Sequence, residues 1–276
     1  MSAARKGLPM NDGTVTREGI RIHQPADFAG MQKAGELAAL ILDEVGALVV
    51  PGATTGALDD FIRNRVEEAG AISATIGYRG YQHASCISVN HVVCHGIPGE
   101  KLLKDGDILN IDVTVIVDGW YGDSSRMYVA GKPSVRARRL LQVTHDSLMR
   151  GIEAVRPGAT FGDIGWAIQE YAEGQRMSVV RDFCGHGLGR VFHAPPNVLH
   201  FGRPGKGAVI EEGMFFTIEP MINLGRPETK VLADDWTAVT RDKSLSAQFE
   251  HSIGVTSTGV EIFTLSPSGK FFPDLD

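Results

Sequence analysis

The alternation of apolar and polar positions is clearest between Gly106 and Ala130, where LNIDVTVIV is followed by Asp118-Gly119 and then by WYGDSSRMYV. β-Branched and aromatic residues at every second place predict two strands, and Asp-Gly between them predicts a two-residue hairpin loop. With Asp118 and Gly119 as the loop, Val117 faces Trp120 and Asp123 faces Thr114. Thr114 lies two residues from Asp112. The two aspartates therefore share one face as diagonal neighbours, roughly 7–8 Å apart between backbones and closer between side chains. Elsewhere, the spacing of apolar residues predicts amphipathic helices over residues 28–48 and 135–155. Two further apolar runs each hold one acid: Glu219 in MFFTIEPMI, closed by Pro220, and Glu250 in SAQFEHSIGV.

The pattern repeats. VVPGATTGALDDFI begins at Val49 and VRPGATFGDIGWAI at Val155, an offset of 106 residues, and each copy follows one of the predicted helices. GDILNIDVTV from Gly106 resembles GMFFTIEPMI from Gly213 at an offset of 107, which sets Asp112 against Glu219. Two copies of helix, PGAT turn, helix and strands predict an α/β (α+β) fold of two pseudo-twofold halves, residues 27–133 and 134–264. Their acid-bearing strands would form one shared floor.

That floor has a definite chemistry. Two bare carboxylates ~4 Å apart at an effective dielectric of ~20 repel by about 4 kcal/mol, and an acid inside an apolar strand is rarely buried unless paired or metal-bound. His186, in FCGHGLGRVFHAPP, adds a nitrogen donor to the carboxylates of Asp112, Asp123, Glu219 and Glu250. Two divalent cations balance four carboxylates and leave room for a bridging hydroxide, the composition of a two-metal hydrolytic centre. Oxygen-rich ligation with one nitrogen suits cobalt, manganese, iron or zinc and does not choose among them.

Composition narrows the setting. A chain of 276 residues has room for one large domain with ample core. The net charge of −6 gives no basic footprint for nucleic acid. No apolar run reaches membrane-spanning length, and MSAARKGLPM lacks the apolar core of a secretory signal. The 3 cysteines, Cys86, Cys94 and Cys184, have no zinc-like spacing and fit a reducing, cytoplasmic location. Residues 1–22 are polar and unpatterned, which predicts a flexible or surface-hugging extension ahead of a catalytic domain at 23–276.

The ordered set CHGIP, NIDVTV, GDSS, GHGLG, FHAPP, TIEP and AQFEH resembles type I methionine aminopeptidase from about His23 to about Thr264. The resemblance implies the two-halved pita-bread fold around a dinuclear metal site. It implies removal of the initiator methionine from nascent polypeptides whose second residue is small and uncharged. By it, Asp112 chelates one metal, His186 and Glu219 bind the other, and Asp123 and Glu250 bridge. His95 would contact substrate near the scissile amide, and His193 would hydrogen-bond the scissile carbonyl. Glu219 would also shuttle a proton to the leaving amine. Tyr78, Tyr81, Cys86, Phe192 and Trp236 would line the methionine pocket. The backbone carbonyls of Asn90, Val92 and Ser246 match positions that hold a monovalent cation, sodium or potassium, in some relatives. Thr75 stands where many bacterial relatives carry cysteine, and Ala194 where an acid is common. The implied partners are nascent N-termini, met at the ribosome by a monomer.

Two rivals share the resemblance. Prolidases and aminopeptidases P have the same fold and ligand types, cleave at X-Pro, and usually carry a whole extra N-terminal domain, for which the segment before the first PGAT leaves no room. A non-catalytic binding module on the same fold typically loses ligands, and all five are present here. A type II enzyme would need a helical insertion that the short spacings from His186 to Glu219 and from Glu219 to Glu250 do not accommodate.

By the small-residue rule the chain is its own substrate, since Met1 is followed by Ser2. Protein made in its own host is expected to begin at Ser2, processed by a second enzyme molecule. Intact-mass spectrometry reads this directly, and retained Met1 in cells with active enzyme would contradict the rule or the accessibility of this terminus.

Overall fold

The computed structural model describes residues 14–275; the first part of the predicted N-terminal extension lies outside them. Helices α1 (Pro25–Val45) and α2 (Thr55–Glu68) precede strands β1 (Ile72–Ser73), β2 (Cys86–Val89), β3 (Val92–Cys94), β4 (Asp107–Val117) and β5 (Trp120–Ala130). Helices α3 (Val135–Glu153) and α4 (Phe161–Gly174) then precede β6 (Ser178–Val179), β7 (Gly185–Gly187), β8 (Ala194–Val198), β9 (Phe215–Ile218) and β10 (Met221–Asn223). The remaining strands are β11 (Thr229–Val231), β12 (Ala238–Thr240), β13 (Ser246–Gln248), β14 (His251–Val255) and β15 (Val260–Ile262).

Local chemistry explains the helix starts. In each PGAT copy the glycine takes a left-handed turn, with φ of +92° at Gly52 and +88° at Gly158, which a side chain would resist. The threonine that follows is an N-cap: Thr54 Oγ1 accepts from the Ala57 N–H at 3.1 Å, and Thr160 N–H donates to Asp163 at 2.7 Å. Helix α1 begins three residues earlier than its apolar spacing predicts. Pro25 suits a first helical turn, and Gln24 N–H finds the Asp27 carboxylate at 2.9 Å.

The hairpin register is the predicted one, Val117 opposite Trp120 and Thr114 opposite Asp123, and Asp118 and Gly119 both take positive φ as a type I′ turn requires. Alternation then sorts β4 between two surroundings. Leu109, Ile111, Val113 and Val115 pack with Ala38, Leu42, Leu58 and Ile62 of α1 and α2. Asn110, Asp112 and Thr114 point the other way. The second half repeats the scheme, with Phe216, Ile218, Ile222 and Phe249 packed with Leu140, Leu148, Ile164 and Ile168 of α3 and α4.

The second strand pair is not a copy of the first. β9 pairs with β14 and β10 with β13 in one continuous register, but both strands break where Glu219 and Glu250 stand opposite each other. Pro220 has no N–H to give the ladder, which ends β9 one residue short of it. The predicted matching of Asp112 with Glu219 therefore sets an acid inside a strand against an acid in a strand gap.

The halves are joined by polar bonds between their inner strands. Glu250 N–H donates to Ser125 O at 3.0 Å, Ser124 Oγ to Glu250 O at 2.9 Å, Ser252 Oγ to Asp123 O at 2.6 Å, and Asn110 Nδ2 to Gln248 O at 2.8 Å. Buried Arg126 of β5 pairs with Asp43 of α1, which also accepts from Ser266 and Ser268. Residues 14–22, expected to be flexible or surface-hugging, lie on the surface as a small antiparallel turn with Val15 opposite Arg21, and Ile20 alone among them is buried, in the second-half core.

Helix α1 lies so close to β5 that a Cβ on Gly122 would meet the backbone of Ala34 and Gly35. Gly122→Ala is expected to destabilise the protein by about 1–3 kcal/mol, read as a lower midpoint in urea unfolding. An unchanged midpoint would mean that α1 is free to lift from the sheet.

Candidate metal centre

Residues of β4, β5, β7, β10 and β13, with the segments that connect them, help line one cavity of about 970 Å³. Asp112, Asp123, His186, Glu219 and Glu250, drawn from both halves, all reach it. Donor atoms of Asp123, His186 and Glu250 lie within 4.8 Å of one another. His186 Nε2 is 3.4 Å from Asp123 Oδ2 and 3.8 Å from Glu219 Oε1, with only 12% of its side chain exposed.

Three of these five side chains are oriented by a neighbour. His186 Nδ1 donates to Gly187 O at 3.1 Å, which turns Nε2 toward the carboxylates. Thr114 Oγ1 donates to Asp123 Oδ1 at 2.7 Å, and Thr217 Oγ1 donates to Glu219 Oε1 at 2.8 Å. Gln248 Nε2 donates to Glu219 Oε2 at 3.1 Å. Residues two places from an acid supply all three donors: Thr114 from Asp112, Thr217 from Glu219 and Gln248 from Glu250.

Electrostatics mark the cluster as lacking positive charge. Burial, then the charges of Asp123 and Glu219, pushes the Asp112 carboxyl well above the usual range. Burial and the same neighbours, with Asp112, do likewise to Glu250. Burial pushes Glu219 up to about 7, against the pull of His186 and the hydrogen bonds from Thr217 and Gln248. Burial opposes a charge on His186, but its hydrogen bond with Asp123 and the charges of Glu219 and Asp123 outweigh it and raise its pKa. The basic side chains that line the cavity, Arg79, Arg203 and Lys206, are exposed. Converging oxygen donors with one nitrogen in a buried, under-neutralised pocket fit divalent cations.

The other expected residues also surround this cavity: His95, His193, Tyr78, Tyr81, Cys86, Phe192 and Trp236, with Thr75 and Ala194. His193 Nδ1 is 3.0 Å from the Tyr78 hydroxyl, and its ring centroid is 4.2 Å from that of His186. Burial, followed by the charge of His186, pushes His193 down to about 4, so it is neutral near pH 7. His95 holds a positive φ of 55°, with its ring edge-on to Phe183 at 5.5 Å and to Trp236 at 6.1 Å. Cys86 is cross-strand from Asp112, and burial pushes its thiol up, then the Asp112 charge adds to this.

Asn90, Val92 and Ser246 do not line the cavity; Ser246 N–H donates to Asn90 O at 2.9 Å where β13 meets β3. Sequence reasoning missed Cys94, Phe183, Cys184 and Met221 among the lining residues. It also missed Thr114, Thr217 and Gln248, which strict alternation from the acids could have found. It gave no sign of His200, which is fully buried and whose Nε2 accepts from the Glu219 N–H at 3.2 Å.

Comparison with known proteins places this geometry. The profile of metallopeptidase family M24 matches residues 29–257. The methionine aminopeptidase of Rickettsia prowazekii (strain Madrid E) is 57% identical over 255 residues, 92% of this chain and 98% of that one. The crystal structure of the Rickettsia prowazekii methionine aminopeptidase superposes with a TM-score of 0.88, covering 89% of this chain and 100% of that chain. An X-Pro aminopeptidase from Thermotoga maritima shares the fold at a TM-score of 0.72 and 16% identity, with 92% of this chain covered but only 64% of that one.

The charge balance gives a prediction for the metal-free protein. An acid whose folded pKa is raised binds more protons folded than unfolded between the two values. Stability then falls as pH rises through that window, here from 4.5 to about 7 for Glu219. Glu219→Gln removes this penalty. With a chelator present, its melting temperature is expected to exceed the parent's at pH 8 and to lose that advantage at pH 4. A variant no more stable at pH 8 would contradict the electrostatic account.

Proposed function

The chain belongs to metallopeptidase family M24 and, within it, to the methionine aminopeptidases, and from that premise we propose that it is a type I enzyme whose cavity floor holds two divalent cations. It removes the initiator methionine from polypeptides whose second residue is small and uncharged. The observation that carries the reading of the site is the convergence of five donors from both halves at the floor of one cavity with an aromatic and sulfur-containing wall. Asp112 chelates one cation, His186 and Glu219 the other, and Asp123 and Glu250 serve both. Bound there, the cations acidify water and polarise a carbonyl.

The chain's own residues do the rest. Tyr81, Cys86 and Trp236 offer a methionine side chain an apolar, polarisable wall, which suits a thioether. The substrate's free amine fits beside His186, which limits cleavage to the first residue. With Nδ1 accepting from Tyr78, neutral His193 keeps an Nε2–H to donate to the scissile carbonyl as negative charge develops there. His95 contacts the substrate near the scissile amide. Glu219, with its raised pKa, carries a proton between water and the leaving amine.

Cobalt, manganese, iron and zinc all satisfy this donor set. A sodium or potassium ion is assigned to the carbonyls of Asn90, Val92 and Ser246, outside the cavity. The substrates are nascent chains met at the ribosome in the cytoplasm by a monomeric enzyme. No helix among the described residues is long and apolar enough to cross a membrane.

Assays with Met-Ala-Ser and X-Pro peptides after reconstitution with each metal test the reading. Methionine release supports it, X-Pro cleavage favours the rival enzyme, and absence of metal binding favours a non-catalytic module. His193→Ala is expected to keep its metal and lose about 10²–10³ in kcat. Asp123→Ala is expected to lose both metal and activity, read by elemental analysis beside turnover. Normal turnover in the first would make His193 structural, and two tightly bound ions in the second would refute the bridging assignment.

A further inference from the structure

Glu219 stands in a gap in its own ladder. β9 pairs Ile218 with His251, pairing resumes only at Met221 with Gln248, and Pro220 between them has no N–H. The Glu219 N–H therefore meets no strand carbonyl, and it donates to His200 Nε2 at 3.2 Å. His200 is fully buried, two residues beyond the end of β8. With Nε2 accepting, the ring proton sits on Nδ1, which meets no hydrogen-bonding partner among the described residues. A buried imidazole with one nitrogen unpaired is a poor way to fill space. The acceptor it aims at Glu219 accounts for its presence.

The other contacts of Glu219 hold what His200 does not. Gln248 Nε2 reaches the Glu219 carbonyl at 3.4 Å and Oε2 at 3.1 Å, while Thr217 Oγ1 holds Oε1 at 2.8 Å. Without His200, the peptide unit that carries Glu219 would be fixed on one side only. We propose that His200 is a positioning residue of the metal centre. By accepting the Glu219 N–H where the strand is broken, it fixes the backbone from which that carboxylate reaches the cavity. This rests on the reading of Glu219 as a metal ligand.

The test is calorimetric titration of the metal-free protein with Mn²⁺, alongside thermal melts, for His200→Leu, His200→Gln and Glu219→Gln. Leucine fills much of the space and accepts nothing, whereas the glutamine amide oxygen can stand near the place of Nε2. His200→Leu is expected to weaken Mn²⁺ binding by about 10–100-fold, with His200→Gln restoring nearly the parent affinity. Parent-like binding by His200→Leu would overturn the proposal if Glu219→Gln binds weakly. Equal weakening in His200→Gln and His200→Leu would also overturn it, because the accepted N–H would then not be what matters. If His200→Leu does not fold, His200→Gln decides: retained affinity supports the proposal and lost affinity overturns it. Parent-like binding by Glu219→Gln would remove the ligand reading itself, and the proposal with it.

Discussion

Asp112, Asp123, Glu219 and Glu250 converge below the protein surface, where like charges repel far more strongly than they do in water. Burial raises three of their pKa values, and the same carboxylates favour the charged form of the neighbouring His186. Such a cluster persists only where the backbone cannot relax away from it. Here Asp112 and Asp123 lie on β4 and β5, and Glu219 and Glu250 lie in the gap between two paired stretches; α1 and α2 pack behind β4, and α3 and α4 behind β9 and β10. Hydrogen bonds between the halves, such as Glu250 N–H to Ser125 O, close the remaining route. The same rigidity that makes the acids costly without cations places their oxygens for cations.

The two halves contribute unequally to this centre. In the first, an unbroken hairpin makes Asp112 and Asp123 diagonal neighbours. In the second, the acids stand opposite each other in a strand gap. A cluster built from one diagonal and one direct pair can offer its carboxylates to two ions in different ways, which an exact duplication could not.

The wall of the cavity is tied to its floor through the hairpin tip. Arg190 stacks over Trp120 at 4.2 Å and donates to Asp118 O at 3.0 Å, and Tyr121 N–H donates to Gly189 O at 2.8 Å. These contacts pin the loop that carries Phe192 and His193 to the turn that sets the register of Asp123. Wall and floor thus share one reference point, although His193 and Asp123 are 70 residues apart in sequence.

The sequence by itself determined the features that depend on neighbours along the chain. Strict alternation and Asp118-Gly119 specify the β4–β5 register, because a side-chain period of two and a two-residue turn leave no other pairing. The PGAT copies specify two turn-and-cap units, and the lone acids in apolar runs specify that Asp112, Glu219 and Glu250 need partners. What only the tertiary structure decided are the relations between chain segments that no local pattern encodes. The break at Pro220 is legible as a missing N–H, but not that a histidine from beyond β8 fills the gap. Cys94, Phe183 and Met221 read as ordinary apolar residues until the halves meet and turn them toward one cavity. Ile20 reads as part of a loose terminus until a core built from α3, α4 and β9 covers it. Local hydrogen-bond geometry is written residue by residue, whereas burial is a property of surfaces that exist only once both halves have folded.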